Sequence, residues 1–305
     1  FWLKLFGPVA GPRPEGAIPV RMLTNIGLCC TSGDGGSLVE NVEGWSSKVP
    51  LSVASDSSAE NVTYVSDVEG QWDYFCNFVS HSKGLSFVVD TEPEERRTAK
   101  ELELRLDDGW HFVHGGDACD KGPGSLRFLE SMVLVKKKYP KHVHLLLGNA
   151  DVCKLGWIDE LQGDKVGHPT NSAVSFWDSR AEHEDSPDEF ERRRAELAHL
   201  KGVSLDSITN QQVVTNFEDS ARPRGRLRDY LDRAQLGVLL GDALFVDGQV
   251  NNDAHKTVLP GVADAEASKQ ELEQWLKKLN NWCYDKVQEL DGKPGWDPVP
   301  NPGGA

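Results

Sequence analysis

The chain is poor in cysteine: six in 305 residues, with no Cys-x-x-Cys pair and no zinc-ribbon spacing. That excludes a disulfide-built scaffold and a structural thiolate zinc site. Cys29 and Cys30 are adjacent, a spacing that rarely bridges, so free thiols and a reducing compartment are expected. No apolar run approaches the length of a bilayer span, which excludes a transmembrane segment of that kind. Basic residues are not in excess either, and the formal net charge is −15. A surface of that sign repels phosphate backbones and anionic lipid, so nucleic acid and anionic membranes are not expected partners. There is no internal repeat, and no histidine follows His255. The first residue is Phe1 and nothing after it reads as a signal peptide. The expectation is a soluble protein, organellar after removal of a targeting peptide.

What is present is enough for a sizeable core, with 38% hydrophobic and 27% charged residues. Residues 1–60 are rich in Gly, Pro and Ser with little periodicity, and read as an extended arm that wraps this domain or a partner. Residues 61–291 carry the patterned elements, and 292–305 form a turn-rich tail. "VTYVSD" (62–67), "WHFVHGGD" (110–117) and "HVHLLLGNAD" (142–151) read as strands. Trp72, Phe75, Cys76 and Val79 fall at helical spacing, as do Leu126, Leu129, Met132 and Val133, with Pro140 ending the second helix. The basic triplet 136–138 reads as the solvated end of that helix. Residues 90–108 are charged and read as an exposed insertion or helix, 178–201 as a charged helical insertion, 237–250 as a hairpin, and 264–291 as a helix. Alternation of strand and helix implies an α/β fold with a largely parallel sheet.

Each of the three strands ends in polar residues: Asp67 and Glu69, then Asp117 and Asp120, then Asn149 and Asp151. Open parallel sheets place their sites along that edge. Carboxylates gathered there repel one another, and a hard divalent cation with oxygen ligands is the natural neutraliser. Each residue taken alone also reads as a turn or capping residue. His111, His114, His142 and His144 read as ordinary strand residues, with His114 near the site. Cys119 and Cys153 flank it as small buried hydrophobes.

The blocks "SDVEGQW" (66–72), "GGDACDKGPGS" (115–125), "GNAD" (148–151) and "LFVDGQV" (244–250) resemble, in order and spacing, the signature of the calcineurin-like metallophosphoesterases, the fold of the Ser/Thr phosphoprotein phosphatases. The resemblance covers about residues 60–250, and its second block is the specific one. It implies a two-sheet sandwich flanked by helices, here without the usual final segment. It also implies one or two divalent cations (Mn, Mg, Fe or Zn) held by Asp67, Asp117 as the bridge, Asn149, and the residues Glu69 and Asp247 that replace histidines. Lys121 stands at a phosphate-binding position, although a salt bridge to Asp120 is the competing reading. Asp247 likewise reads either as a ligand or as a turn residue.

The departures are chemical. Ala150 replaces the histidine that protonates the leaving group, which leaves Asp120 without the partner it would orient. Loss of a general acid costs about 10²–10⁴ in rate. The late Gly-His block is missing. The expectation is a degenerate, catalytically impaired member acting as a structural or binding subunit among protein partners in a larger assembly. The alternatives are an active metal-dependent phosphomonoesterase or protein Ser/Thr phosphatase with altered ligands, and a module that senses phosphate or nucleotide without cleavage.

Overall fold

A computed structural model of the chain describes residues 21–22, 54–119, 121–154, 189–248, 250 and 269–289. The tail expected at 292–305, Asp120, and most of the expected arm lie outside the described residues. Within the arm, β1 (Arg21–Met22) and β2 (Ser55–Asp56) are short strands. The chain continues through β3 (Asn61–Val65), α1 (Trp72–His81), β4 (Leu85–Phe87), α2 (Pro93–Arg97), β5 (Leu104–Leu106) and β6 (Trp110–His114). Next come α3 (Ser125–Lys138), β7 (Val143–Leu146), α4 (Asn149–Cys153) and α5 (Glu189–Lys201). They are followed by α6 (Asn210–Ala221), α7 (Arg226–Leu231), β8 (Ala234–Gln235), β9 (Gly237–Leu240), β10 (Ala243–Val246) and α8 (Lys269–Glu289).

Two four-stranded sheets result. One is wholly parallel, in the order β3-β6-β7-β8. The other, β1-β10-β9-β2, is built on the β9–β10 hairpin, with the two arm strands added parallel at its edges. Strand periodicity explains how they stack. Val65, Phe112, Val143 and Leu145 belong to a core shared with α1 and α3. The intervening residues Val62, Tyr64, Val113 and Leu146 meet Val238, Leu240 and Phe245 of the hairpin. On the hairpin's other face, Leu239, Leu244 and Val246 pack against Trp275, Leu276 and Leu279 of α8. The layers therefore run helix, sheet, sheet, helix. No helix among the described residues is long and apolar enough to cross a membrane.

Helical spacing is matched by burial: α1 buries Trp72, Phe75, Cys76 and Val79. Two regions hold more than their sequence readings gave, and a third differs from its reading. Residues 90–108 contain α2 and then β5, which pairs antiparallel with β4. Residues 189–201, the described part of the expected insertion, put Phe190, Leu197 and Ala198 into the main core. The end of α3 is not a solvated triplet. Lys136 is buried, and its ammonium donates to the carbonyls of Pro140 (2.8 Å) and Val143 (2.6 Å). Burial lowers its pKa to about 7. The carbonyls that follow a helix end attract a cation wherever the chain folds back over them, a turn that charge pattern does not reveal.

Glu196 of α5 is buried and accepts the N–H groups of Leu126 (2.9 Å) and Arg127 (3.0 Å). It caps the N-terminus of α3, where Gly124 has no side chain to do so. Its charge is opposed by Arg193 and Arg127, and the Arg127 guanidinium also lies over the Trp72 ring. Removing one member of a buried charged group leaves the rest uncompensated. Glu196→Ala is expected to cost about 3–5 kcal/mol of stability, read from the midpoint of urea unfolding.

Candidate functional site

The acidic residues sit on loops that leave the C-terminal ends of β3 and β6 and the end of β10. Backbone pairing fastens the first two loops to each other. The amides of Asp67, Glu69 and Gly70 donate to the carbonyls of Gly116, Asp117 and Ala118 at 3.1, 2.9 and 3.0 Å. In return the amides of Lys121 and Gly122 both donate to the carbonyl of Glu69. The approach is too close for a side chain at Gly122, where a Cβ would strike the backbone of Gly70. Asp67, Glu69 and Asp117 all take left-handed backbone angles, with φ of 50°, 51° and 52°. Three carboxylate-bearing residues in that region on two adjacent loops store strain of about 1–3 kcal/mol each.

This backbone brings Asp67, Asp117 and Asp247 together, each with a carboxylate oxygen within 4.8 Å of the others. Ser66 donates to Asp67 Oδ1 at 2.6 Å, and the amide of Ala150 donates to Asp117 Oδ1 at 3.0 Å. Asn149 has an exposed side chain, and its amide donates to Asp247. Glu69 lies apart from the triad because its carboxylate is engaged by the Lys121 ammonium. That pairing gives Lys121 a partner other than Asp120. His114 meets the buried Tyr230 rather than a carboxylate. It is fully buried and its Nδ1 is 2.8 Å from the Tyr230 hydroxyl, which donates to Leu146 O. Burial lowers its pKa to about 3.

Two residues outside the expected set complete the site. Asp151 is fully buried and accepts the amides of Ala118 (2.8 Å) and Gly148 (3.0 Å), which ties the β6 loop to the β7 loop. Lys154 is buried nearby, and its charge acts on both Asp117 and Asp151. Asp151 was visible in the sequence as a strand-end carboxylate. Nothing in the spacing marked Lys154.

The electrostatics are those of crowded anions. Burial raises the pKa of Asp247 to about 8, and Asp117, Asp151 and Asp67 add to the effect. Burial and then Asp117 raise Asp151 to about 7. Asp117 is raised by burial and by Asp67, with the Ala150 amide acting the other way. Burial raises Glu69, and Lys121 opposes it. The donor set is oxygen-only and negatively charged, which suits a hard divalent cation. Such an ion would supply the counter-charge that burial and mutual repulsion leave missing, and so would favour the ionised carboxylates.

No protein-family model and no curated protein matches the chain. Among solved structures, the cold-active protein tyrosine phosphatase of a psychrophilic Shewanella species is similar at 18% identity and a TM-score of 0.40, covering 78% of this chain and 51% of that one. A mutant of a cold-active protein tyrosine phosphatase gives 17% identity and 0.40, covering 81% and 55%. The chain thus spans about half the length of these structures. Scores this low carry no conclusion about chemistry.

Asp247 holds its proton more tightly folded than unfolded. Without a cation, rising pH therefore favours the unfolded chain from the ordinary carboxylate range near 4 up to about 8. Cation-free Asp247→Asn is expected to melt with the wild type near pH 4 and several degrees above it at pH of about 9. Thermal unfolding in a chelator measures the difference. Saturating Mn²⁺ should reverse the order, because the carboxylate then has a counter-charge.

Proposed function

We propose that this chain is a metallophosphoesterase-type domain that holds a divalent cation between Asp67, Asp117 and Asp247 but turns substrate over poorly, and that it serves as a binding or structural subunit of a larger assembly. The observation that supports the cation is the convergence of these three carboxylates from separate strands within 4.8 Å. The helix-sheet-sheet-helix layering and the motif order agree with it. When bound, the ion would supply Lewis-acid polarisation of a phosphoryl oxygen. The protein groups supply little else. Ala150 has no proton to transfer, and Lys121, the exposed cation at the rim, is engaged by Glu69. The Gly- and Pro-rich ends suit contact with protein partners.

An active phosphomonoesterase or protein Ser/Thr phosphatase is the second reading. It is favoured by the same oxygen-only carboxylate triad, which offers the ligand set a hydrolytic cation would need.

Metal content after dialysis against Mn²⁺, measured by mass spectrometry, tests the first reading. At least one ion per chain is expected, and Asp117→Asn should lose it. An equal, background content in both proteins would sink the site. Hydrolysis of p-nitrophenyl phosphate separates the two readings. The degenerate reading expects turnover at least about 100-fold below the common enzyme range of 1–10³ per second. Faster Mn²⁺-dependent turnover that vanishes in Asp117→Asn would establish the enzyme instead.

A further inference from the structure

A second cluster of titratable side chains lies between the two sheets, at the far end from the carboxylates. His111 on β6 and His144 on β7 are both buried, with ring planes 15° apart. Nδ1 of His111 is 3.1 Å from Nε2 of His144. Nε2 of His111 is 3.6 Å from Oδ2 of Asp56. Asp56 ends β2, the short strand laid along β9, where the amides of Leu239 and Gly241 donate to the carbonyls of Ala54 (3.0 Å) and Asp56 (2.8 Å). The other oxygen of Asp56 accepts the amide and hydroxyl of Ser58 at 2.9 and 2.6 Å.

Only one proton fits between the two rings. If His111 Nδ1 carried it, Nε2 of the same ring would turn a lone pair toward the Asp56 carboxylate. His144 Nδ1 would then be a buried N–H with no partner, since no hydrogen-bond partner for that atom is found among the described residues. If His144 Nε2 carries it, His111 directs an N–H toward Asp56, and His144 Nδ1 keeps only a bare lone pair. An orphaned buried N–H is the costlier of the two. The geometry assigns the second arrangement, a relay in which His144 donates to His111 and His111 faces Asp56 with its other N–H.

We propose that this relay is an acid-sensitive latch that fastens β2 to the sandwich and lets it go when either imidazole takes a second proton. A proton on His111 Nδ1 sets two N–H groups against each other. A proton on His144 Nδ1 buries an unpaired donor. The surroundings do not compensate. His142 of the β7 edge lies 5.0 Å from His111, ring to ring, and Lys136 of α3 acts on His144, both with the wrong sign. Asp56 of β2 is the anion that acts on His111. Burial lowers the pKa of both rings, His144 the more, with His142 lowering both and Asp56 partly opposing at His111. An imidazole with a depressed folded pKa contributes stability above the ordinary value near 6.5 and loses it as pH falls through the folded one. Release leaves the Leu239 and Gly241 amides on an open strand edge.

Amide exchange, corrected for its intrinsic pH dependence, reads the latch directly. In the wild type the Leu239 and Gly241 amides should exchange at least about tenfold faster near pH 5 than near pH 7.5, while β3, β6 and β7 stay protected. His144→Leu removes the opposing N–H, so His111 can charge against Asp56, and the acid response should vanish. Protection that persists near pH 5 in the wild type overturns the proposal, as does an unchanged acid response in His144→Leu. Nitrogen NMR of the wild-type rings at neutral pH gives a check that needs no variant. Both rings should carry the proton on Nε2, and a proton on His111 Nδ1 overturns the relay.

Discussion

Like charges held together against their own repulsion are the constraint on which this structure turns. Asp67, Asp117, Asp247 and the buried Asp151 crowd one sheet edge. Burial first, and then the charges of their neighbours, raise the proton affinities of Asp117, Asp151 and Asp247, because the protein, not the side chains, insists on the arrangement. The insistence is backbone-borne. Left-handed angles at Asp67, Glu69 and Asp117, reciprocal amide bonds between the two loops, and glycines where the chains nearly touch leave the carboxylates little freedom to separate. Strain of this kind persists where the surrounding fold over-determines it.

That surrounding fold begins immediately behind the loops. The β6 loop runs into α3, whose open end is capped by Glu196 from a helix about 70 residues later in the chain. Arg127 joins that cap to the Trp72 ring and to the carbonyls of Arg97 and Ala99. Asp151 fastens the β6 loop to the β7 loop from below. The acidic edge is therefore anchored in the same polar network that holds the helical layer to the parallel sheet, so its geometry and the stability of the core are linked. The histidine relay at the opposite end shows the same economy, with buried polar groups used to fix where a strand lies.

Much of the framework could be read from local pattern. Helical spacing at Trp72, Phe75, Cys76 and Val79 is a backbone property, and burial follows it; the strand at 110–114 is instead buried almost throughout, as a central strand of a parallel sheet is. The acidic strand ends were readable from local pattern too: a residue a few places past a parallel strand lies near that edge. Lys136 was misread because a basic helix end looks solvated until the chain after Pro140 folds back over it. The Lys121–Glu69 pairing was not legible because Glu69 is distant in sequence and adjacent only through loop pairing. Lys154 carried no signal, since a lone lysine after a short helix is ordinary.

Sequence alone determined the three parallel strands β3, β6 and β7, the helices α1, α3 and α8, the β9–β10 hairpin, and that acidic groups would line one edge, because these depend on residue type and short-range spacing. Tertiary structure decided which of those groups meet. It joined Asp247 from the second sheet to Asp67 and Asp117 from the first, drew Glu69 toward Lys121, and set His111 between His144 and Asp56. Contacts between residues far apart in the chain depend on how sheets stack and loops pair, and no local pattern encodes that distance.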